Sequence, residues 1–302
     1  MPLSLRLPYF VCHPLARLAR RRLPPAGRAE DTDQAAYFEG QARSTVSRYH
    51  LHLGGLDLAG KIVLDVGSGL GGRALGWLEL GAERVINVDI NRQELEAGRA
   101  IVDERYPGVA GRIDYRHPDD VPAESCDVVI LFDAFEHLVS PGEVLRQIHV
   151  WLRPGGFTWI GSIGWYNYIA SHCTGTHIPI PWCQVLFSET AIIKTIRTLL
   201  RSPGYVPNVW ERMEGLGRWD HVTTLKDRPG EPLNMLSLRR IRRVLKDSPL
   251  DLVRFRVFGF SGRRHKIAAA ASWLARLPVL NELLHSYYTA LLVKAMPNAR
   301  PK

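Results

Sequence analysis

From residue 61 the chain alternates short apolar runs with stretches of helical spacing. Residues 61–66 form an apolar run of strand length, and Gly67-Ser68-Gly69-Leu70-Gly71-Gly72 after them must turn. Residues 73–80 then read as a helix, 85–89 as a second strand, 92–105 as a second helix and 113–115 as a short third strand. A fourth strand is predicted over 127–132, a helix over 143–152, a turn at Pro154-Gly155-Gly156 and a fifth strand over 157–162. Apolar strands with helices between them predict an α/β fold, a mostly parallel sheet covered by helices on both faces.

Ahead of this block, residues 33–52 lack proline and hold Ala36, Tyr37, Val46 and Tyr49 at helical spacing, which predicts a helix packed before the sheet. Residues 1–28 contain no acid, carry Arg20, Arg21 and Arg22 in succession, and are closed off by Pro24 and Pro25. The positive cluster follows the apolar stretch, which argues against a secretory signal. A transit peptide in a eukaryote, an amphipathic segment on a membrane surface and a poorly ordered leader stay open.

Composition adds bounds. A chain of 302 residues with 46% hydrophobic and 23% charged content can bury a sizeable core. Cys12, Cys126, Cys173 and Cys183 are scattered without a Cys-x-x-Cys pair, so a reducing cytoplasm fits better than a disulfide framework. No apolar run approaches the ~18 residues needed to span a bilayer. The net charge of +9 is segregated: residues 1–30 carry +5, residues 31–190 carry −9 and residues 191–302 carry +13. Basic flanks suit an anionic surface or substrate, or simply a solvated face rich in arginine. No RNA-binding signature is present, and nucleic acid is not expected as a partner.

Chemistry enters at the glycine turn, where missing Cβ atoms let a backbone approach a ligand. Gly67, Gly69 and Gly72 satisfy the spacing of a dinucleotide fingerprint, which is weak alone. Two features separate the cofactors that could claim it. Asp65 stands two residues before Gly67, where nicotinamide-binding loops usually have an apolar residue. Strand four ends in Asp133-Ala134-Phe135-Glu136-His137-Leu138, with Leu152-Arg153-Pro154-Gly155-Gly156 one helix later.

At these residues the sequence resembles the class I S-adenosylmethionine (SAM) dependent methyltransferases, particularly the type 11 and quinone-pathway-like groups, over residues 35–162. The resemblance implies a Rossmann-like fold with a seven-stranded sheet and SAM as cofactor. It implies that Asp65, Gly67, Ser68, Gly69 and Gly71 serve the methionine part of SAM, and that Asp89 takes both ribose hydroxyls, with Ile90 beside it. Phe132 and Asp133 would complete the cofactor site. The family's adenine-loop Asp falls on His117, five residues before Pro122, and Asp119 is the nearest substitute, ahead of Asp120.

Methyl transfer needs little covalent help, so positioning and desolvation can supply much of the acceleration. A base is needed where the acceptor is a hydroxyl or a protonated amine. His137 is the first candidate, at the carboxyl edge of the sheet where ligands of open α/β folds bind, with Glu136 and His177 beside it as catalytic candidates. A structural role in capping the next helix is the competing reading of His137. Asp133, Glu136 and His137 would share one face if helical, and a similar cluster binds a divalent metal in small-RNA 2′-O-methyltransferases. A further ligand would have to come from His172 or His177, and no metal ligands are assigned from sequence.

Residues 163–235 form an insertion rich in Trp, Pro and His that leaves from the carboxyl edge and is placed to cover the acceptor. Its His172, Cys173, His177 and Cys183 lack zinc spacing. Beyond it, a basic helix over 236–246 and strands over 252–260 and 287–295 resemble the closing hairpin of the methyltransferase fold, with a helical excursion over 265–285. The expected division is therefore a basic leader at 1–32, a SAM-binding core at 33–162, a lid at 163–235 and completion of the sheet at 236–302. The function expected is methylation, mainly O-methylation, of a small molecule or a lipid- or sugar-linked metabolite, in the cytoplasm or peripherally at a membrane. The alternatives are a nicotinamide-dependent oxidoreductase and a catalytically silent SAM-fold protein at a membrane surface.

Overall fold

The structure is a computed structural model describing residues 5–20, 33–52, 56–174, 177–203, 205, 215–228, 232–260, 277 and 280–296. Seven strands form one sheet: β1 (Ile62–Val66), β2 (Arg84–Val88), β3 (Ile113–Arg116), β4 (Cys126–Phe132), β5 (Leu152–Ser162), β6 (Asp251–Gly259) and β7 (His285–Val293), in spatial order β3-β2-β1-β4-β5-β7-β6. The first five are parallel, whereas β7 runs antiparallel to both β5 and β6. The order reverses at β1, so the connections leaving the paired strands β1 and β4 run to opposite faces and leave the crevice in which open α/β sheets bind ligands.

Alternation along the strands divides the core. Val128, Ile130 and Phe132 of β4 point to one face, and Val129 and Leu131 to the other. The first face is covered by α2 (Gln34–His52), α3 (Arg73–Glu79) and α4 (Arg92–Arg105). The second is covered by α6 (Pro141–Trp151) and α9 (Leu238–Lys246), with α5 (Pro107–Ala110), α7 (Cys183–Leu186) and α8 (Glu189–Leu200) lying between these in chain order. The contact of α2 with α3 depends on small residues: a Cβ at Gly72 would lie 2.2 Å from the Phe38 carbonyl oxygen, and one at Gly76 2.6 Å from Thr45 Cβ.

Most boundaries fall within two residues of the sequence reading; the start of β5 lies further off, and the basic helix starts two residues late, each for a local reason. β5 begins at Leu152 and absorbs the expected turn as a bulge: Leu152 pairs with Cys126, and Phe157 with Val128. Gly155 holds φ +78°, and its amide donates to the Lys294 carbonyl while the Lys294 amide donates to Gly156, which keeps the bulge on the ladder. The basic helix starts at Leu238 because Ser237 caps it, accepting from the Arg240 amide. Of the excursion expected over 265–285, residues 265–276, 278 and 279 lie outside the described residues.

The lid has its own core, in which Ile192, Ile193, Ile196 and Leu199 of α8 pack with Cys173, Cys183 and Trp219. Part of the segment read as a leader is ordered. Helix α1 (Tyr9–Arg20) buries Cys12 and Ala16 in that core, and Leu7 pairs with Phe187 just before it.

Candidate active site

β1 delivers Asp65 and the glycine turn to the carboxyl edge. Asp65 is completely buried, and its carboxylate accepts from Arg73 Nε at 2.9 Å, Arg73 Nη2 at 3.2 Å and Trp77 Nε1 at 3.0 Å. Arg73 Nη2 also donates to the Gly67 carbonyl at 2.7 Å, so Asp65 reaches the turn through this guanidinium. Burial works against the Arg73 charge, but Asp65 outweighs it and the arginine pKa is raised. Gly67 holds φ +69°, and a Cβ there would lie 2.7 Å from Ala134 Cβ, which shows how closely the turn approaches the end of β4. Ser68 Oγ is buried without a hydrogen-bond partner.

Asp89 follows β2. Its Oδ2 accepts from the Gly69 amide and its Oδ1 from the Asn91 amide, both at 2.9 Å. A carboxylate has about four acceptor positions, so two remain for ribose hydroxyls on this half-exposed side chain. Ile90 beside it is 77% exposed, an apolar surface available to a flat base. At the adenine loop, Asp119 Oδ2 stands 3.2 Å from His117 Nδ1, and its side chain is largely exposed. The residues expected to serve the cofactor around the turn and Asp89 are thus assembled on one edge, and the turn with its orphaned hydroxyl fits a polar ligand.

The end of β4 differs from expectation. Phe132 is buried against Trp159, with the Arg48 guanidinium carbon 4.1 Å from its ring centroid, so its side chain belongs to the core. Asp133 holds φ +52°, unusual for a residue with a Cβ. Its carboxylate accepts from Arg48 Nη2 at 2.6 Å and from the Tyr287 hydroxyl at 2.9 Å. Burial, then the Asp133 charge, raise the Tyr287 pKa. Arg48 and Tyr287 are absent from the sequence reading.

Residues 135–137 form a single 3₁₀ turn, so the helical condition under which Asp133, Glu136 and His137 would share one face is not met. Glu136 is buried and accepts from Ser162 Oγ. His137 Nδ1 lies 3.0 Å from the Pro232 carbonyl, which can only accept. Asn234 fastens the same turn, its amide donating to the Glu136 carbonyl at 2.8 Å and its Nδ2 to the Phe135 carbonyl at 2.6 Å. Glu136, Ile163, Trp165, Leu233 and Met235 line a crevice between turn and lid.

The lid contributes His172, whose ring meets His137 edge to face at 4.7 Å. Ligand atoms of Glu136, His137 and His172 lie within 4.8 Å of one another, a set that two imidazoles suit to a transition ion better than to Mg²⁺. His177 does not join them. It is 1% exposed in the lid core, against Tyr205 and Trp219, because the aromatic surroundings that suggested a cover over the acceptor pack on each other there.

Residues 64–160 match the family model described as a methyltransferase domain. A ribosomal protein L11 methyltransferase of Alteromonas mediterranea is 47% identical over 78 residues, and that of Edwardsiella ictaluri is 47% identical over 79. Each match spans 26% of this chain and 26% of the relative's length. The crystal structure of a SAM-dependent methyltransferase from Mesorhizobium loti aligns over 85% of this chain and 97% of its own at 15% identity, with a TM-score of 0.47. Residues 64–160 thus match a methyltransferase domain, and they lie within a Rossmann-like sheet of strand order β3-β2-β1-β4-β5-β7-β6.

Proposed function

We propose that the protein is a SAM-dependent methyltransferase that methylates a small molecule or a lipid- or sugar-linked metabolite at oxygen, with His137 as the base. The observation that carries this reading is the bond to the Pro232 carbonyl from His137, three residues after the Ala134 that packs on Gly67. A carbonyl cannot donate, so Nδ1 carries the proton and Nε2 is the basic nitrogen of the neutral ring.

When bound, SAM supplies a methyl group already activated on a sulfonium. The chain's part is to hold the two reactants in line and to receive a proton. Asp89 and the Gly67–Gly71 turn bind and orient the cofactor, and Arg48 takes up the charge of Asp133. His137 Nε2 would take the proton lost by the acceptor hydroxyl, and the bond that breaks is the one between the methyl group and the sulfonium, which is left as a neutral thioether. The insertion fastens the Phe135–His137 turn through Pro232 and Asn234.

The acceptor class rests on the Trp-, Pro- and His-rich composition of the insertion, whose Trp165 lines a small crevice with Glu136, Asn234, Ile163 and Leu233. The L11 relatives are named for a protein substrate, but the similarity to them covers too little of either chain to speak for the acceptor. Incubation of cell extracts with the protein and isotopically labelled SAM, followed by mass spectrometry, is expected to reveal a labelled small molecule or lipid. Label confined to a polypeptide would transfer the acceptor to protein. No labelled product at all would point to a silent SAM-binding fold.

A further inference from the structure

We propose that the outward face of α1 docks the protein on an anionic phospholipid surface. Steps of 100° per residue place Phe10, Pro14, Arg17 and Leu18 on the side opposite Cys12 and Ala16, which are buried against the lid, with Leu15 exposed on the flank. A surface helix normally turns polar residues outward. Here Phe10 is 75%, Leu18 53% and Leu15 45% exposed, and Leu5 just ahead of the helix is 68% exposed. The charges among them are positive: Arg6 and Arg17 are both exposed, and no Asp or Glu precedes Glu30, whereas six arginines do.

This pattern selects the occupant. The absence of acid selects a negatively charged partner, and the apolar side chains select one that also offers hydrocarbon. The face is the convex ridge of a helix standing on the surface, not a groove, and so fits a planar, deformable boundary. Apolar side chains entering the acyl boundary with arginines at headgroup level are how interfacial helices bind. No helix among the described residues is long and apolar enough to cross a membrane, so the contact is peripheral.

The helix is fastened firmly enough to carry the body with it. The Leu5 and Leu7 amides donate to the Val185 and Leu186 carbonyls, and the Ser188 amide donates to Leu7. The Tyr9 hydroxyl meets Thr198 Oγ1 at 3.2 Å, with Lys194 Nζ over the Tyr9 ring. Docking would therefore bring the lid to the lipid. The inference does not depend on methyl transfer and is tested without it.

The test is co-sedimentation of the full chain with phosphatidylcholine vesicles, with and without an equal part of phosphatidylglycerol. The protein is expected to pellet with the mixed vesicles, to stay in solution with phosphatidylcholine alone, and to be released by high salt. Phe10→Ser with Leu18→Ser, and separately Arg17→Glu, should each reduce pelleting at least fivefold while the thermal melt stays unchanged. Should a variant fold poorly, the salt and lipid dependence of the unaltered chain decides. Failure to pellet with either vesicle would overturn the proposal, as would pelleting indifferent to lipid charge. So would a wild-type dimer that Phe10→Ser with Leu18→Ser converts to monomer, since a second copy would then cover the face.

Discussion

His137 and Pro232 are 95 positions apart in the chain, yet the imidazole Nδ1 lies 3.0 Å from the proline carbonyl oxygen. That contact sets the tautomer on which the proposed chemistry depends. His137→Ala should retain SAM binding by calorimetry and lose methyl transfer about a hundredfold to ten-thousandfold, the usual contribution of a positioned base. Turnover within a few fold of the unaltered protein would remove His137 from the mechanism and leave it a structural fastener of the turn.

Asp89 is the cofactor prediction. Replacement by Asn removes the charge and one acceptor while the side chain can still accept from the Gly69 amide. A charge-assisted hydrogen bond contributes about 1.5–3 kcal/mol, so SAM should bind roughly ten- to a hundredfold more weakly. An unchanged dissociation constant in the calorimeter would mean that the ribose is held elsewhere.

Arg73 and Asp65 form a buried ion pair under the turn. Arg73→Met leaves the carboxylate with Trp77 as its remaining side-chain donor, and removing one partner of such a pair costs about 3–5 kcal/mol. Urea unfolding should register the loss, and adding Asp65→Asn should recover part of it. A stable single variant would show that the carboxylate is reached by water.

His285 makes stability depend on pH. Its Nε2 accepts from the Gly164 amide at 3.0 Å, which puts the ring proton on Nδ1 toward the Asn281 carbonyl at 2.8 Å. Burial lowers its pKa to about 4 from 6.5. The unfolded chain therefore binds the extra proton first as pH falls. The stabilisation is complete above about pH 6.5 and is lost progressively down to about pH 4, with a ceiling of about 3 kcal/mol. Melts of the unaltered protein and His285→Gln across that window should differ in slope. Parallel curves would assign the acid sensitivity to other groups.

Because His137 is read as a base, dialysis against EDTA should leave methyl transfer intact, and added Mn²⁺ or Zn²⁺ should not raise it. Loss of turnover on chelation with recovery on metal addition would instead make Glu136, His137 and His172 ligands.

Strands were legible wherever an apolar run had clear ends, as in β4, because burial on both faces demands such a run. The start of β5 was not, since Pro154-Gly155-Gly156 is turn chemistry that tertiary pairing with Lys294 converts to a bulge. Asp65, Asp89 and the glycines lie at the carboxyl edge of the sheet, where the family resemblance implied they would stand. The role of Arg73 was within reach, as it lies in the first turn of the helix that follows the glycines. Arg48 and Tyr287 on Asp133, and Asn234 on the Glu136 turn, come from elements 85, 154 and 99 positions away and leave no local periodicity. The same limit misplaced His177: an aromatic-rich stretch does not say whether its histidine faces the sheet or its own neighbours.

The fastening of the Phe135–His137 turn by Pro232 and Asn234 separates two capacities in time. A chain emerging in order completes the glycine turn and Asp89 while the residues that orient His137 are still unmade. The proposed base is therefore oriented only when the far end of the insertion returns to the Phe135–His137 turn.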